Sequence, residues 1–217
     1  MKKIKTFENF KLNDKYVSEK LEKYLKKLNT KFNRFKRNIK KLNNSNLIVE
    51  PIWGWTTLMM SVIDIQKEPE ILDMYHKLFD YVINLKGIDI DFKDTYNRTA
   101  LFHACTSVDF YSIKKLLEKG ANPNIQNNDG NTALIYAYII YKYRLSNPTS
   151  DIEIDIEDTL KVLIILITYG SDWNIKNKMG NDFLYYLDKD IKDFIINMFP
   201  DKYKDYLIKK DMDKYNM

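Results

Sequence analysis

The chain has 217 residues, 45% apolar and 30% charged, with a net charge of +5, a globular balance with room for one ordinary domain or a smaller domain and an appendage. Six glycines and five prolines exclude collagen-like sequence and long flexible linkers, and a single cysteine, Cys105, excludes an intramolecular disulfide and a cysteine-based zinc site. The longest apolar run, residues 162–168, is far shorter than the ~20 residues that span a bilayer.

The charge is unevenly placed. Residues 1–45 hold 15 Lys and Arg against 4 Asp and Glu; the remaining 172 residues hold 20 against 26. Within the basic part, Val17, Leu21, Tyr24, Leu28, Phe32, Phe35, Ile39 and Leu42 recur at steps of three and four, which predicts a helical stripe with Lys, Arg and Asn on its other faces. This segment, residues 1–47, reads as a helical cap docked on the first unit of the remaining chain. Two alternatives stay open: a surface for nucleic acid or an anionic membrane, resting on charge alone, or a disordered or oligomerising arm.

From residue 48 onward the chain repeats itself. The stretch 54–62, "GWTTLMMSV", opens a first unit that closes at 87–94, "GIDIDFKD". The second opens on "TYNRTALFHA" (95–104) and closes on "GANPNIQN" (120–127). The third opens on "NDGNTALIYA" (128–137) and closes on "GSDWNIKN" (170–177). A fourth opens on "KMGNDFLYYL" (178–187). Each complete unit has the same parts in order. A turn carries Gly130 or Asn97, residue types that tolerate positive φ. Thr99 or Thr132 then stands where it can cap the free amides of a helix, with Asp182 in that role in the fourth unit. A short apolar helix follows. A second helix comes next, with Ile113, Leu116 and Leu117, or Val162, Ile165 and Leu166, on its inner face. Gly120 or Gly170 ends it. The first and third units exceed the second by insertions placed at 66–75 and 141–157.

These units resemble the ankyrin repeat, a 33-residue turn plus two helices with a T-P-L-H-x-A core. "TALFHA" and "TALIYA" match it at Thr, Leu and Ala. The resemblance implies an all-α solenoid of about four helix-turn-helix units over 48–200, fronted by the basic helical segment, with residues 201–217 as a C-terminal capping helix or tail. Ile191, Phe194, Ile195 and Met198 would pack inward at that end. The family's core His, which hydrogen-bonds between repeats, is Met59, Phe102, Ile135 and Tyr185 here, so apolar contact is expected to keep the repeats in register.

The resemblance also implies a function. Ankyrin proteins hold other proteins with their turn tips and the exposed side of their first helices. Carried onto this chain, the tips are Trp53 and Trp55; Thr95, Tyr96 and Arg98; Asn128, Asp129 and Asn131; and Met179 and Asn181. On the first helices, Met60, His103 and Tyr136 hold the variable position. Trp, Tyr and Arg are the types enriched at interface hot spots. Trp53 or Trp55 serves equally well to cover the join with the preceding helix.

No catalytic chemistry is evident. Cys105 follows the core Ala and reads as a small buried residue. His76 has no companion ligand in sequence. The turns "WGWTT" and "NDGNT" hold one Gly each and form no phosphate loop. The acidic insertion with Asp151, Glu153, Asp155, Glu157 and Asp158 lacks the spacing of a calcium loop. No enzyme activity, cofactor or metal is expected. The expectation is a monomeric, non-catalytic adaptor that binds a protein partner. The first residues carry Glu8 and lack the apolar stretch of a secretory signal, which points to an intracellular, cytoplasmic protein. Heavy use of Lys, Asn, Ile, Tyr and Phe suggests an AT-rich genome, and with it a viral or pathogen effector acting in a host cytoplasm.

Overall fold

Thr132 and Asp182 start their helices by the chemistry that their side chains favour. In the computed structural model, which describes residues 76, 79, 80, 82–84, 88–147 and 156–215, the Thr132 hydroxyl accepts the Ile135 amide at 3.4 Å. The Asp182 carboxylate accepts the Tyr185 amide at 3.1 Å. Both satisfy donors that the first helical turn cannot pair internally. Thr99 differs from expectation: it stands at the cap with extended backbone, but its side chain makes no cap bond. The second helix of that unit has a cap of its own, Asp109, which accepts the Ser112 amide at 3.2 Å.

Seven helices form among the described residues: α1 Ala100–Thr106, α2 Phe110–Glu118, α3 Ala133–Ser146, α4 Ile156–Thr168, α5 Phe183–Tyr186, α6 Lys189–Met198 and α7 Pro200–Tyr215. Residues 76, 79, 80, 82 and 83, upstream, are helical too. The helices α2 and α4 end alike. Gly120 and Gly170 take φ of +89° and +96°. Their amides bond back to Leu117 and Ile167, and the next amides, of Ala121 and Ser171, reach Leu116 and Leu166. This glycine-terminated closure satisfies carbonyls that the helix leaves open.

Packing arranges the helices in two rows. Within a unit α1 lies on α2 and α3 on α4; between units α1 lies on α3, α3 on α5, and α2 on α4. The core runs along the join. Leu101, Phe102, Ile113, Leu116, Leu134, Ile135, Val162, Leu163, Leu166 and Phe183 are all buried, each contributing ~1.5–3 kcal/mol relative to exposure. No helix pair could bury this surface alone, which is why the units stack. In α4 the buried stripe is Val162, Leu163, Leu166 and Ile167, while the predicted Ile165 is half-buried.

In the insertion at 141–157, α3 continues to Ser146 and has 14 residues, against 7 in α1. One expectation needs correction. At the far end, Ile195 is fully buried, but Phe194 and Met198 remain exposed. The closing contacts come from α7 instead. Tyr206 is buried and its hydroxyl donates to Asp182 Oδ2 at 2.8 Å. Lys209 meets Asp172 at 3.0 Å, and Lys202 donates to the Ser171 carbonyl at 3.0 Å. The basic segment 1–47, the opening of the first unit and the acidic residues 151–155 lie outside the described residues.

Candidate functional site

Three turns repeat atom for atom. Asp94, Asn127 and Asn177 occupy the same place, and in each the side-chain Oδ1 accepts two amides of its own turn. These come from Tyr96 and Arg98 at 2.8 and 2.8 Å, from Asp129 and Asn131 at 3.0 and 2.9 Å, and from Met179 and Asn181 at 3.0 and 3.1 Å. Three residues after each comes the positive-φ position: Asn97, Gly130 and Gly180, at +57°, +77° and +80°. The turns also bond to one another. The Asn128 amide donates to the Tyr96 carbonyl at 2.9 Å, and the Lys178 amide to the Asp129 carbonyl at 3.0 Å. Register between repeats therefore rests on a polar ladder as well as on apolar contact. Phe102 and Ile135 are buried as the apolar account requires, but Tyr185, at the same position, is 67% exposed.

This ladder decides which tip residues face outward. Thr95, Tyr96, Asn128 and Asp129 are exposed, and Met179 is 79% exposed. The Asn128 amide group, however, reaches back to the Thr95 carbonyl at 3.1 Å. Asn131 does not face a partner: it is buried, and its Oδ1 accepts the Asn177 side-chain amide at 2.8 Å. Trp53, Trp55 and Met60 lie outside the described residues.

His103 is a second correction. It is buried, with Nε2 3.1 Å from Asp94 Oδ2, the oxygen that also accepts Arg98 Nε at 2.9 Å. The variable position of α1 is turned onto its own unit's turn because Asp94 offers a buried carboxylate there. Burial by itself would raise the Asp94 carboxyl, but the bonds from His103, the Arg98 amide and guanidinium, and the Tyr96 amide hold it below the ordinary 3.8. For His103, burial outweighs the raising effect of Asp94 and brings the imidazole below the ordinary 6.5.

Between α1 and α3 lies a groove of about 210 Å³, lined by Phe102, Tyr136, Ile140 and Tyr143 together with Arg98, His103 and Arg144. The Phe102 and Tyr136 rings pack 5.8 Å apart. Arg144 donates from Nη1 to the Thr106 carbonyl at the end of α1, at 3.0 Å. Tyr136 thus lines this groove. Tyr143 and Arg144 were not singled out by the sequence, because they fall in the insertion. Their signal was there: 136, 140, 143 and 144 share one helical face.

Elsewhere the reactive side chains are engaged in packing. Cys105 is buried, and burial pushes its thiol far above the ordinary 9.0. His76 has a companion after all, Asp109 at 3.1 Å, and stacks on Tyr111 at 4.2 Å. Among the described residues no group of three or more His, Cys, Asp or Glu is placed to hold a metal, and no helix is long and apolar enough to cross a membrane.

Helix pairs stacked in two rows, with bonded turns along one edge, define a helix-turn-helix solenoid. The family model of ankyrin repeats, in three copies, matches residues 71–140, and this part of the chain is built of ankyrin repeats. Three ankyrin repeat proteins of Acanthamoeba polyphaga mimivirus are similar to the chain. One is 35% identical over 95 residues, 43% of this chain and 19% of the relative. Another is 27% identical over 185 residues, 60% of this chain and 24% of the relative. A third is 33% identical over 81 residues, 37% of this chain and 11% of the relative. The chain thus spans a quarter or less of the length of these curated relatives. Ankyrin repeats are, as a class, protein–protein interaction modules and generally non-catalytic.

Proposed function

We propose that the protein is a non-catalytic adaptor that holds a partner protein along its turn tips and the groove between its first helices. The observation that carries this reading is the division of labour in the turns. Asp94, Asn127 and Asn177 fix the backbone from inside, while Tyr96, Asp129 and Met179 stand exposed at the tips. Rigid tips lower the ordering cost of binding. Similarity to mimivirus proteins supports a viral origin, and the proposal extends it to an effector that works as a monomer inside a host cell.

The test is capture from host-cell lysate by the intact chain and by a Tyr96→Ala, Met179→Ala variant, each with and without nuclease. Both substituted residues are exposed, so the variant should melt as the parent does. A partner retained by the parent and lost from the variant supports the reading. Equal retention would move the site away from the tips, and capture abolished by nuclease would place the activity with nucleic acid.

A further inference from the structure

The groove between α1 and α3 owes its far wall to the insertion. The helix α1 stops at Thr106, whereas α3 runs on to Ser146, and the extension supplies Tyr143 and Arg144. With about 210 Å³ the groove is smaller than the ~300–1,000 Å³ of small-molecule sites and suits one inserted side chain. Its lining joins aromatic and aliphatic side chains to two guanidinium groups. Asp94 offsets Arg98, but no carboxylate among the described residues pairs with Arg144. That guanidinium spends Nη1 on the Thr106 carbonyl, which anchors one end of the group and leaves its other nitrogens to a ligand. Burial lowers its affinity for a proton, as desolvation does for any cation.

We propose that this groove is a specificity pocket for an acidic side chain, Asp or Glu, carried by a partner's peptide segment and flanked there by an apolar residue. The proposal rests on the adaptor reading above and names the chemistry of its partner. An anchored, planar guanidinium presents paired donors that match a carboxylate. Phe102, Tyr136 and Ile140 cover the methylene stem, and Tyr143, 64% exposed, receives the apolar neighbour. Arg98 stands over the Tyr96 ring, 4.6 Å from its centre, with its charge already met by Asp94, which leaves Arg144 to receive the acid.

A display library of random peptides, selected on the intact chain, tests this. The expected peptides share an Asp or Glu beside an apolar residue. Replacing that acid by its amide in a synthetic peptide should weaken binding about tenfold or more, roughly 1.4 kcal/mol. The protein is unchanged in that comparison, so folding is not at issue. Arg144→Met and Tyr143→Asp should each abolish selection, and Arg144→Lys should restore part of it. Peptides that bind with no acid preference, or whose amide forms bind equally, overturn the pocket and leave the adaptor reading standing. A library that yields binders lost on Tyr96→Ala but indifferent to Arg144→Met has the same effect. If acid-dependent binding occurs only when Asp151, Glu153 and Asp155 are changed to their amides, the groove serves the chain's own insertion and the proposal fails.

Discussion

Gly130 is pressed against Lys178: a Cβ on Gly130 would lie 2.7 Å from the Lys178 amide nitrogen and 3.0 Å from the Asn177 Cα. Gly180 has the same left-handed backbone, φ +80° against +77°, but open space around it. The pair separates two reasons for glycine. Both Gly→Ala changes carry the left-handed penalty of ~1–2 kcal/mol. Gly130→Ala must also force two turns apart, which adds ~1–3 kcal/mol. Urea denaturation should therefore show roughly 3 kcal/mol lost for Gly130→Ala and about 1 for Gly180→Ala. Equal losses would mean that the turns slide past each other freely.

The three-turn ladder makes a finer prediction. Asn127→Ala removes an oxygen that two amides share in a buried site and should cost ~1–3 kcal/mol. Asn127→Asp keeps that oxygen and copies what Asp94 does one repeat earlier, so it should be far milder. Asn177→Asp should not be mild. The Asn177 amide group donates to Asn131 Oδ1 at 2.8 Å and to the Tyr186 hydroxyl at 2.6 Å. A carboxylate there would face Asn131 with no proton to give. Chemical denaturation of the three variants checks the order; an Asn177→Asp chain as stable as Asn127→Asp would refute it.

Much of this was legible beforehand, for physical reasons. The helix starts at Thr132 and Asp182, the ends at Gly120 and Gly170, and the turn at Asn97 are local devices, and local devices leave marks in sequence. What could not be read depended on neighbours. His103 looks like any variable surface residue until Asp94, nine positions earlier, is seen to be buried beneath it. Asn131 reads as a tip residue until Asn177, a whole insertion away, claims it. Tyr143 and Arg144 fall in the insertion, beyond the pattern that the repeats share, although their spacing continues the groove-lining side of α3.

The Asp94–His103 contact sets a pH dependence. His103 has a folded-state value below the ordinary 6.5, so the unfolded chain takes up its proton first. Its contribution is full above 6.5 and is lost as pH falls through the folded value. Asp94, held below 3.8, behaves alike in a lower window: its contribution is present above 3.8 and lost as pH falls through the folded value. Acid should therefore destabilise the repeats in two stages. The groups facing the imidazole are Asp94 and Arg98, with Tyr136 and Arg144 on α3 across the groove. A His103→Gln variant should lose less stability than the parent between about pH 7.5 and about pH 5. Identical pH profiles would show that His103 does not carry the upper stage.

The last prediction concerns how the stack ends. Asp182 uses its two oxygens for two tasks: Oδ1 caps α5 through the Tyr185 amide, and Oδ2 accepts the Tyr206 hydroxyl. The final four-residue first helix, α5, is thus tied directly to α7. Tyr206 is buried and stacks with Tyr203 at 6.0 Å, so its ring carries apolar burial as well as a bond. Tyr206→Phe keeps the ring and should cost about 1 kcal/mol; Tyr206→Ala removes both and should cost ~3–5 kcal/mol. Total stability alone would not show that α7 orders the cap. Hydrogen exchange at the Tyr185 amide would, because that donor depends on Asp182 being held in place. Exchange there should rise in Tyr206→Phe, while the amides of α2, far from the contact, stay protected. If the Tyr185 amide exchanges at the parent rate in both variants, α7 is a passive cover, and the fourth repeat closes the solenoid by itself.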